Sequence, residues 1–335
     1  MQVCETEFEH LDEETHQQVE APAEERMARL LDYRFCNYPA SDLVLDKLEV
    51  LFYDDAPGHQ LGLAIFGAPG LGKSYLLQHF ANDLHPPFRN ASGTREQPVV
   101  YVPLSSEFTL QELQAQVLAA MGALAEGWKF GYRDLHLKML AKHCKVRVFI
   151  FDDIQHFINQ GRSRCGRLFD WLKYLLNDLG IVVVIAGIPE AADAVAADAQ
   201  ISTRFDIVTM PSWEVGVALS QFLGNFERTF PLRRASHFQD PDMQEAILEA
   251  SGGVTRIMVQ QLVDAAIFAI DQEVERIEPA LLTVRATRPK ELAAAFKRGL
   301  MTYRRMRQCG VGALELSAGP QIEVPPNCAP PIGAP

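Results

Sequence analysis

The chain has 335 residues, 48% of them apolar, and a formal net charge of −12, enough for one large domain or two modest ones around a real core. The acidic balance argues against indiscriminate coating of nucleic acid, although local patches count for more than the total. No run approaches the ~18 apolar residues of a membrane span, and the opening MQVCETEFEHLDEE has neither a basic region nor an apolar signal core, so the expectation is a cytoplasmic protein with no membrane partner.

In chain order, residues 1–25 hold many carboxylates and no Lys or Arg, a composition expected to stay disordered. Helical pattern begins near Glu24. In SDLVLDKLEVLF, Leu43, Leu45, Leu48 and Leu51 recur at near-helical spacing behind Ser41, which reads as an N-cap. The turn DDAPGH leads into the apolar run LGLAIF, the stretch GAPGLGKS, and a helix with Leu76, Leu77 and Phe80 on one side. Four further runs, VVYVPL, VRVFIFDD, IVVVIAGIP and RFDIVTM, are mostly separated by helical stretches. One of these, TLQELQAQVLAAMGAL, has a stripe of Leu110, Leu113, Val117 and Met121. Continuous apolar strands alternating with helices predict an α/β domain over 26–210, a parallel sheet flanked by helices that binds its ligand at the carboxyl ends of the strands.

From Pro211 onward the pattern is helical, giving a small α-helical domain over 211–287. Residues 288–309 read as a basic helical extension: Arg285, Arg288, Lys290, Lys297, Arg298, Arg304, Arg305 and Arg307 face Glu291 alone between 285 and 307. Residues 310–335 are a Pro-rich tail expected to be disordered. The six cysteines lack CxxC pairing or histidine spacing, so neither a zinc site nor a disulfide framework is signalled.

GAPGLGKS fits G-x-x-x-x-G-K-[ST] in the strand–turn–helix setting that gives the pattern meaning. Gly67, Gly70 and Gly72 let backbone N–H groups point inward around a phosphate, with Ala68, Pro69 and Leu71 between them and Tyr75 following. Lys73 would reach the β- and γ-phosphates of ATP and Ser74 would ligate Mg²⁺. The plain alternative is a glycine turn that serves packing alone. At the end of VRVFIFDD, Asp152 would hold Mg²⁺ and Asp153 would polarise an attacking water. Asp153 is one methylene shorter than glutamate, and Ile188, at the end of the next strand, offers no hydrogen bond to water; slow turnover is expected. Arg204 in DAQISTRFD can act as an arginine finger on a neighbouring subunit, and Arg256 in GGVTR can reach the phosphate of its own. The alternative for each is an ordinary ion pair.

With GAPGLGKS, FIFDD, GIPEA, STRFD and GGVTR in order, the chain resembles the AAA+ P-loop ATPases, whose α/β domain carries a small C-terminal helical lid. RFCNYPASDLVLDKLEVLF, DDIQHFI, DAQISTRFD, and MPSWEVG with FERTFPLRRAS are similar to the TniB/TnsC family of transposition ATPases over about residues 26 to 285. The resemblance implies an ATP-dependent regulator that forms a homo-oligomeric ring or helical filament on double-stranded DNA. It also implies a transposase and a target-selection protein as partners. It places Lys73 and Ser74 at the Walker A positions, Asp152 and Asp153 at Walker B, Arg204 at the finger and Arg256 at the second sensor. Tyr38 and Pro39 fall where such ATPases pack adenine, though an aromatic there equally suits a core. DNA contacts would be to phosphates and without sequence preference. The candidates are Lys129 and Arg133 in WKFGYRD, Arg89 with Arg95, and Arg162, Arg164 and Arg167 in GRSRCGR, whose glycines suggest an exposed loop. The competing readings are a signalling or defence ATPase of the same fold that needs no DNA, and a small-molecule P-loop kinase.

Overall fold

The structure, a computed structural model, describes residues 8–31, 35–54, 62–104, 109–123, 130–158 and 162–308. The Pro-rich tail and Lys129 lie outside the described residues. In chain order the elements are α1 (Glu13–His16), α2 (Ala23–Arg29), α3 (Pro39–Tyr53), β1 (Gly62–Phe66), α4 (Lys73–His79), a π-turn (Phe80–Leu84), and the short hairpin β2 (Phe88–Arg89) and β3 (Arg95–Glu96). Then come β4 (Val99–Pro103), α5 (Leu110–Ala120), α6 (Phe130–His143), β5 (Val148–Asp152), α7 (Gln155–Ile158), α8 (Arg162–Asn177), β6 (Val182–Gly187), α9 (Pro189–Ala197), α10 (Ala199–Ser202) and β7 (Phe205–Thr209). The chain continues through α11 (Val217–Arg228), α12 (Pro241–Ser251), α13 (Thr255–Asp271), a 3₁₀ turn (Pro279–Leu281), α14 (Val284–Thr287) and α15 (Pro289–Gln308).

The five apolar runs form one parallel sheet in the order β4-β5-β6-β1-β7. Alternate residues of β5 face opposite cores. Phe149 and Phe151 join Leu113, Val117, Leu168 and Leu172 on one side, whereas Val148 and Ile150 join Val44, Leu48, Leu76 and Leu77 on the other. Burial on both faces is why β1, β5 and β6 read as unbroken apolar runs. Leu113, Val117 and Met121 of the predicted stripe are buried, and α5 begins at a capping box in which Thr109 and Glu112 satisfy each other's backbone N–H groups.

Three local expectations are corrected. α3 begins at Pro39, with Tyr38 as the N-cap; Ser41 sits inside the first turn, where its Oγ accepts from the Tyr38 N–H at 2.8 Å. Proline suits the first helical position because its missing N–H has no intrahelical partner there in any case. Residues 162–167 of GRSRCGR open the helix α8 and are not a loop. Leu168, Phe169, Leu172, Leu175 and Leu176 anchor that helix in the core, and a Cβ built on Gly166 meets nothing within 4 Å. Tertiary burial outweighs the roughly 1 kcal/mol that an interior glycine costs.

The acidic opening is structured from Phe8 onward. Thr15 and Val19 are buried, the Asp12 N–H donates to Arg228 O at 3.1 Å, and His10 Nε2 lies 3.0 Å from Leu232 O. Charge alone misreads this segment because its few apolar side chains have a prepared surface. Met27 of α2 and Leu30, which caps it, belong to the core of the helical part, built from α11 to α15, and not to the sheet. Arg26 is bidentate to Glu275, at 2.7 Å on each arm, and donates to Pro231 O at 2.9 Å. Burial raises the Glu275 carboxyl, but the hydrogen bonds and charge of Arg26, with help from Arg233, outweigh it and hold the group below its usual range.

Glu275→Ala should therefore strand a buried guanidinium and destabilise the helical part by about 3–5 kcal/mol, measurable by denaturant unfolding. Because the folded-state value is depressed, the pair's contribution is present above the ordinary glutamate pKa of 4.5 and drains away as the pH falls through the lowered one. The variant should lose that acid-dependent component, and an unchanged acid limb would refute the linkage.

Candidate functional site

The carboxyl ends of β1, β5 and β6 meet at one edge of the sheet, where the Gly67 N–H donates to Gly187 O at 3.3 Å. From there the chain turns through Gly70 (φ 80°) and Gly72 (φ 88°) into α4. Both values lie in the left-handed region that glycine adopts without penalty. A Cβ at Gly70 would lie 2.4 Å from Cγ1 of Val254, the residue that precedes α13, so this turn touches the helical part directly. Lys73 is 7% exposed, and its Nζ donates to Gly67 O at 2.7 Å and Ala68 O at 3.0 Å. Burial pushes its pKa down, and the carboxylates of Asp152 and Asp153 pull it back up. A cation held this way, by carbonyls of its own turn, is placed to exchange them for phosphate oxygens.

Asp152 is 1% exposed. Its carboxylate accepts from the Tyr101 hydroxyl at 2.7 Å and the Asp153 N–H at 2.9 Å, and it also bonds the Ser74 hydroxyl. Burial raises its pKa, and the two hydroxyls oppose the shift. A buried carboxylate beside a serine hydroxyl is an all-oxygen donor pair that suits Mg²⁺, a cation that would neutralise phosphate charge there. Tyr101 is absent from the sequence reading because its role comes from the β4–β5 register, which pairs it with Ile150.

Asp153 has φ 62°, a left-handed conformation that aspartate tolerates better than most residues. Its Oδ1 accepts from Gln155 Nε2 at 2.8 Å, while Gln155 Oε1 accepts from the Ile188 N–H at 3.4 Å. Gln155 thus bridges the acid and the strand end that lacks a polar side chain. A Cβ on Gly187 would approach Gln155 Oε1 to 2.9 Å, so the glycine leaves room for the bridge. The sequence carried a faint signal of this, a polar residue two positions after the acid pair.

These groups open on a cavity of about 640 Å³. Lys73, Ser74, Asp153, Gln155, Arg256 and Gln260 make its polar side, and Phe35, Tyr38, Phe222, Phe226 and Val259 its apolar side. Pro69, Gly70, Leu71, Gly72 and Tyr75 also line it. Tyr38 lies at the border of the cavity and the core. It lines the cavity, its ring packs against Trp213 (4.7 Å) and Phe222 (5.7 Å), and its hydroxyl donates to Leu71 O at 3.2 Å. Pro39 is exposed at the start of α3 and does not line the cavity. Arg256, in the first turn of α13, reaches it from the helical part.

Arg204 sits at the opposite edge of the sheet, where its carbonyl accepts from the Gly62 N–H at 2.7 Å and its guanidinium donates to Asn177. Of the basic candidates, Arg89 and Arg95 are cross-strand partners in the β2–β3 hairpin. Arg133 donates to Gln111 O at 2.8 Å, Arg89 to Gly93 O at 2.9 Å and Arg95 to Gln97 Oε1 at 3.0 Å. Arg162, Arg164 and Arg167 lie in the first turns of α8, where Arg167 is exposed.

A protein-family model described as "Bacterial TniB protein" matches residues 26–215, more than half of the chain. Among solved structures, the chain is similar to Cdc6p from Pyrobaculum aerophilum, with 19% identity, a TM-score of 0.51, and coverage of 75% of this chain and 67% of that one. It is also similar to the Aeropyrum pernix ORC1 protein solved in complex with DNA, with 16% identity, a TM-score of 0.51, and coverage of 78% and 69%. At these identities the likeness shows the fold, that of the AAA+ ATPases. No curated protein matches the chain.

Gln155→Ala should free the Asp153 carboxylate and lower ATP turnover by about 10- to 100-fold, while nucleotide affinity stays nearly constant because the phosphate-binding groups remain. Phosphate release and fluorescent-nucleotide titration measure the two separately. A loss of affinity equal to the loss of turnover would make Gln155 a binding residue instead.

Proposed function

The chain belongs to the TniB family, and from that membership we propose an ATP- and Mg²⁺-dependent regulator of DNA transposition. It assembles with copies of itself on double-stranded DNA and couples a target-selection protein to a transposase. The observation that carries the reading is the division of the site. The phosphate-binding turn, Ser74, Asp152 and Asp153 lie on the sheet, and Arg256 comes from the helical part. A site assembled from two bodies responds to the nucleotide by changing their relation, as a switch requires. The similarity to an ORC1 protein solved in complex with DNA supports the DNA side of the reading.

In this reading Lys73 holds the β- and γ-phosphates, Ser74 and Asp152 hold Mg²⁺, and the apolar side of the cavity with Tyr38 receives the base. Asp153 orients water under the hold of Gln155. Hydrolysis is slow because aspartate is short and Ile188 adds no polar contact. The Asp153→Glu exchange lengthens the carboxylate and should quicken turnover.

Arg204 acts in trans. The four steps of β1 from Gly62 to Phe66, at about 3.3 Å each, put it roughly 13 Å from its own phosphate-binding turn. A finger at that distance serves a neighbouring copy, and the site is completed by assembly.

Arg204→Ala should therefore depress assembly and turnover while leaving ATP binding by the monomer intact, and Lys73→Ala should abolish nucleotide binding. Mixing the two inactive variants should restore part of the activity, because an intact turn then meets an intact finger wherever a Lys73→Ala copy lends its Arg204. Failure of the mixture to recover, with monomer binding also lost in Arg204→Ala, would return Arg204 to a structural role.

A further inference from the structure

The helix α15 spends one side on packing. Leu292, Ala295 and Thr302 are buried, and Gly299 lies so near α2 that an added Cβ would meet Cβ of Met27 at 3.0 Å. At 3.6 residues per turn, Lys290, Lys297 and Arg304 recur every seven residues on the side opposite that buried face, with Arg305 beside Arg304. All four are exposed. The neighbouring cations are neutralised, Arg285 by Asp264, Arg288 by Glu291 and Arg298 by Asp271. Among the described residues no ion pair is formed by the four.

We propose that this outward face of α15 is a docking surface for the phosphate backbone of duplex DNA, an inference that rests on the DNA-acting reading above. The row is a local reversal in a chain of net charge −12, so a general excess of cations does not explain it. From Lys290 to Arg305 it extends about 22 Å along the helix, and a duplex offers one negative charge per ~1.7 Å of axis over that length. A membrane surface is a poor match, because a helix that lies in lipid needs its apolar face free, and here that face is covered by α2 and α13. Among the described residues these four side chains make no hydrogen bond or ion pair and so keep their capacity for phosphate, unlike Arg89, Arg95 and Arg133, which are engaged by carbonyl oxygens. Contacts of this kind fix position without reading sequence.

The test is duplex binding by the full chain with ATP and Mg²⁺, followed by fluorescence anisotropy across a range of KCl. Two variants are compared with the wild type: Lys290→Ala/Lys297→Ala/Arg304→Ala/Arg305→Ala, and the charge-preserving Lys290→Arg/Lys297→Arg/Arg304→Lys/Arg305→Lys. The alanine variant should bind unrelated sequences on the order of 100-fold more weakly, and its log–log salt slope should be shallower by about 3 to 4, at ~0.9 per lost phosphate contact. The charge-preserving variant should bind as the wild type does, and DNA-free ATP turnover should be equal in all three. An alanine variant with wild-type affinity and slope overturns the assignment of this face and leaves the DNA reading intact. A charge-preserving variant that loses binding as fully as the alanine variant also overturns it, since charge would then not be what the face offers. A wild type that binds no duplex under any of these conditions overturns the DNA reading itself, and this inference with it.

Discussion

One tyrosine joins the two halves of this molecule. Tyr38 lies at the start of α3, donates its hydroxyl to the phosphate-binding turn at Leu71 and wedges its ring against Trp213 and Phe222 of the helical part. Trp213 passes the connection on, since its indole N–H donates to Thr255 Oγ1 at 2.7 Å, in the first turn of α13. Burial pushes the phenol's pKa up, which keeps Tyr38 a neutral donor at any ordinary pH. The cavity occupies the gap that this joint spans, so its shape depends on contacts between the two cores as much as on the turn itself.

The sheet and the glycine turn after β1 were legible in the sequence for a physical reason. Strands covered on both faces must be apolar throughout, and a turn that wraps phosphate must have glycine where φ is positive. The parts that were not legible depend on contacts between distant residues. Tyr101 matters because β4 lies beside β5, and Gln155 because β6 ends at a glycine. The acidic opening looked unfoldable by composition, but Asp12 and His10 are bonded to Arg228 and Leu232 in the helical part, more than 200 residues away. GRSRCGR looked like a loop because glycine is a poor helix former, yet the apolar side chains that follow it bind α8 into the core. Local propensity gave way where burial supplied more free energy.

The acidic end of β5 shows how two nearly adjacent carboxylates acquire different characters. Asp152 is enclosed by hydroxyls and backbone, whereas Asp153 faces the cavity with a single carboxamide at its side. The charge of Asp153 still adds to burial in raising the Asp152 carboxyl. Gln155, at the start of the short helix α7, lies between the second acid and the strand end at Ile188.

The absent side chain at Gly70 has a mechanical meaning. The turn rests on Val254 at the head of α13, a helix of 17 residues and about 25 Å whose far end is tied to α15 through Asp271 and Arg298. A tilt of about 10° at the head sweeps the far end through about 4 Å. The helix is thus a lever with its head on the glycine turn and its far end on the cationic helix α15, and a movement small at the turn becomes the width of an atom at the other end.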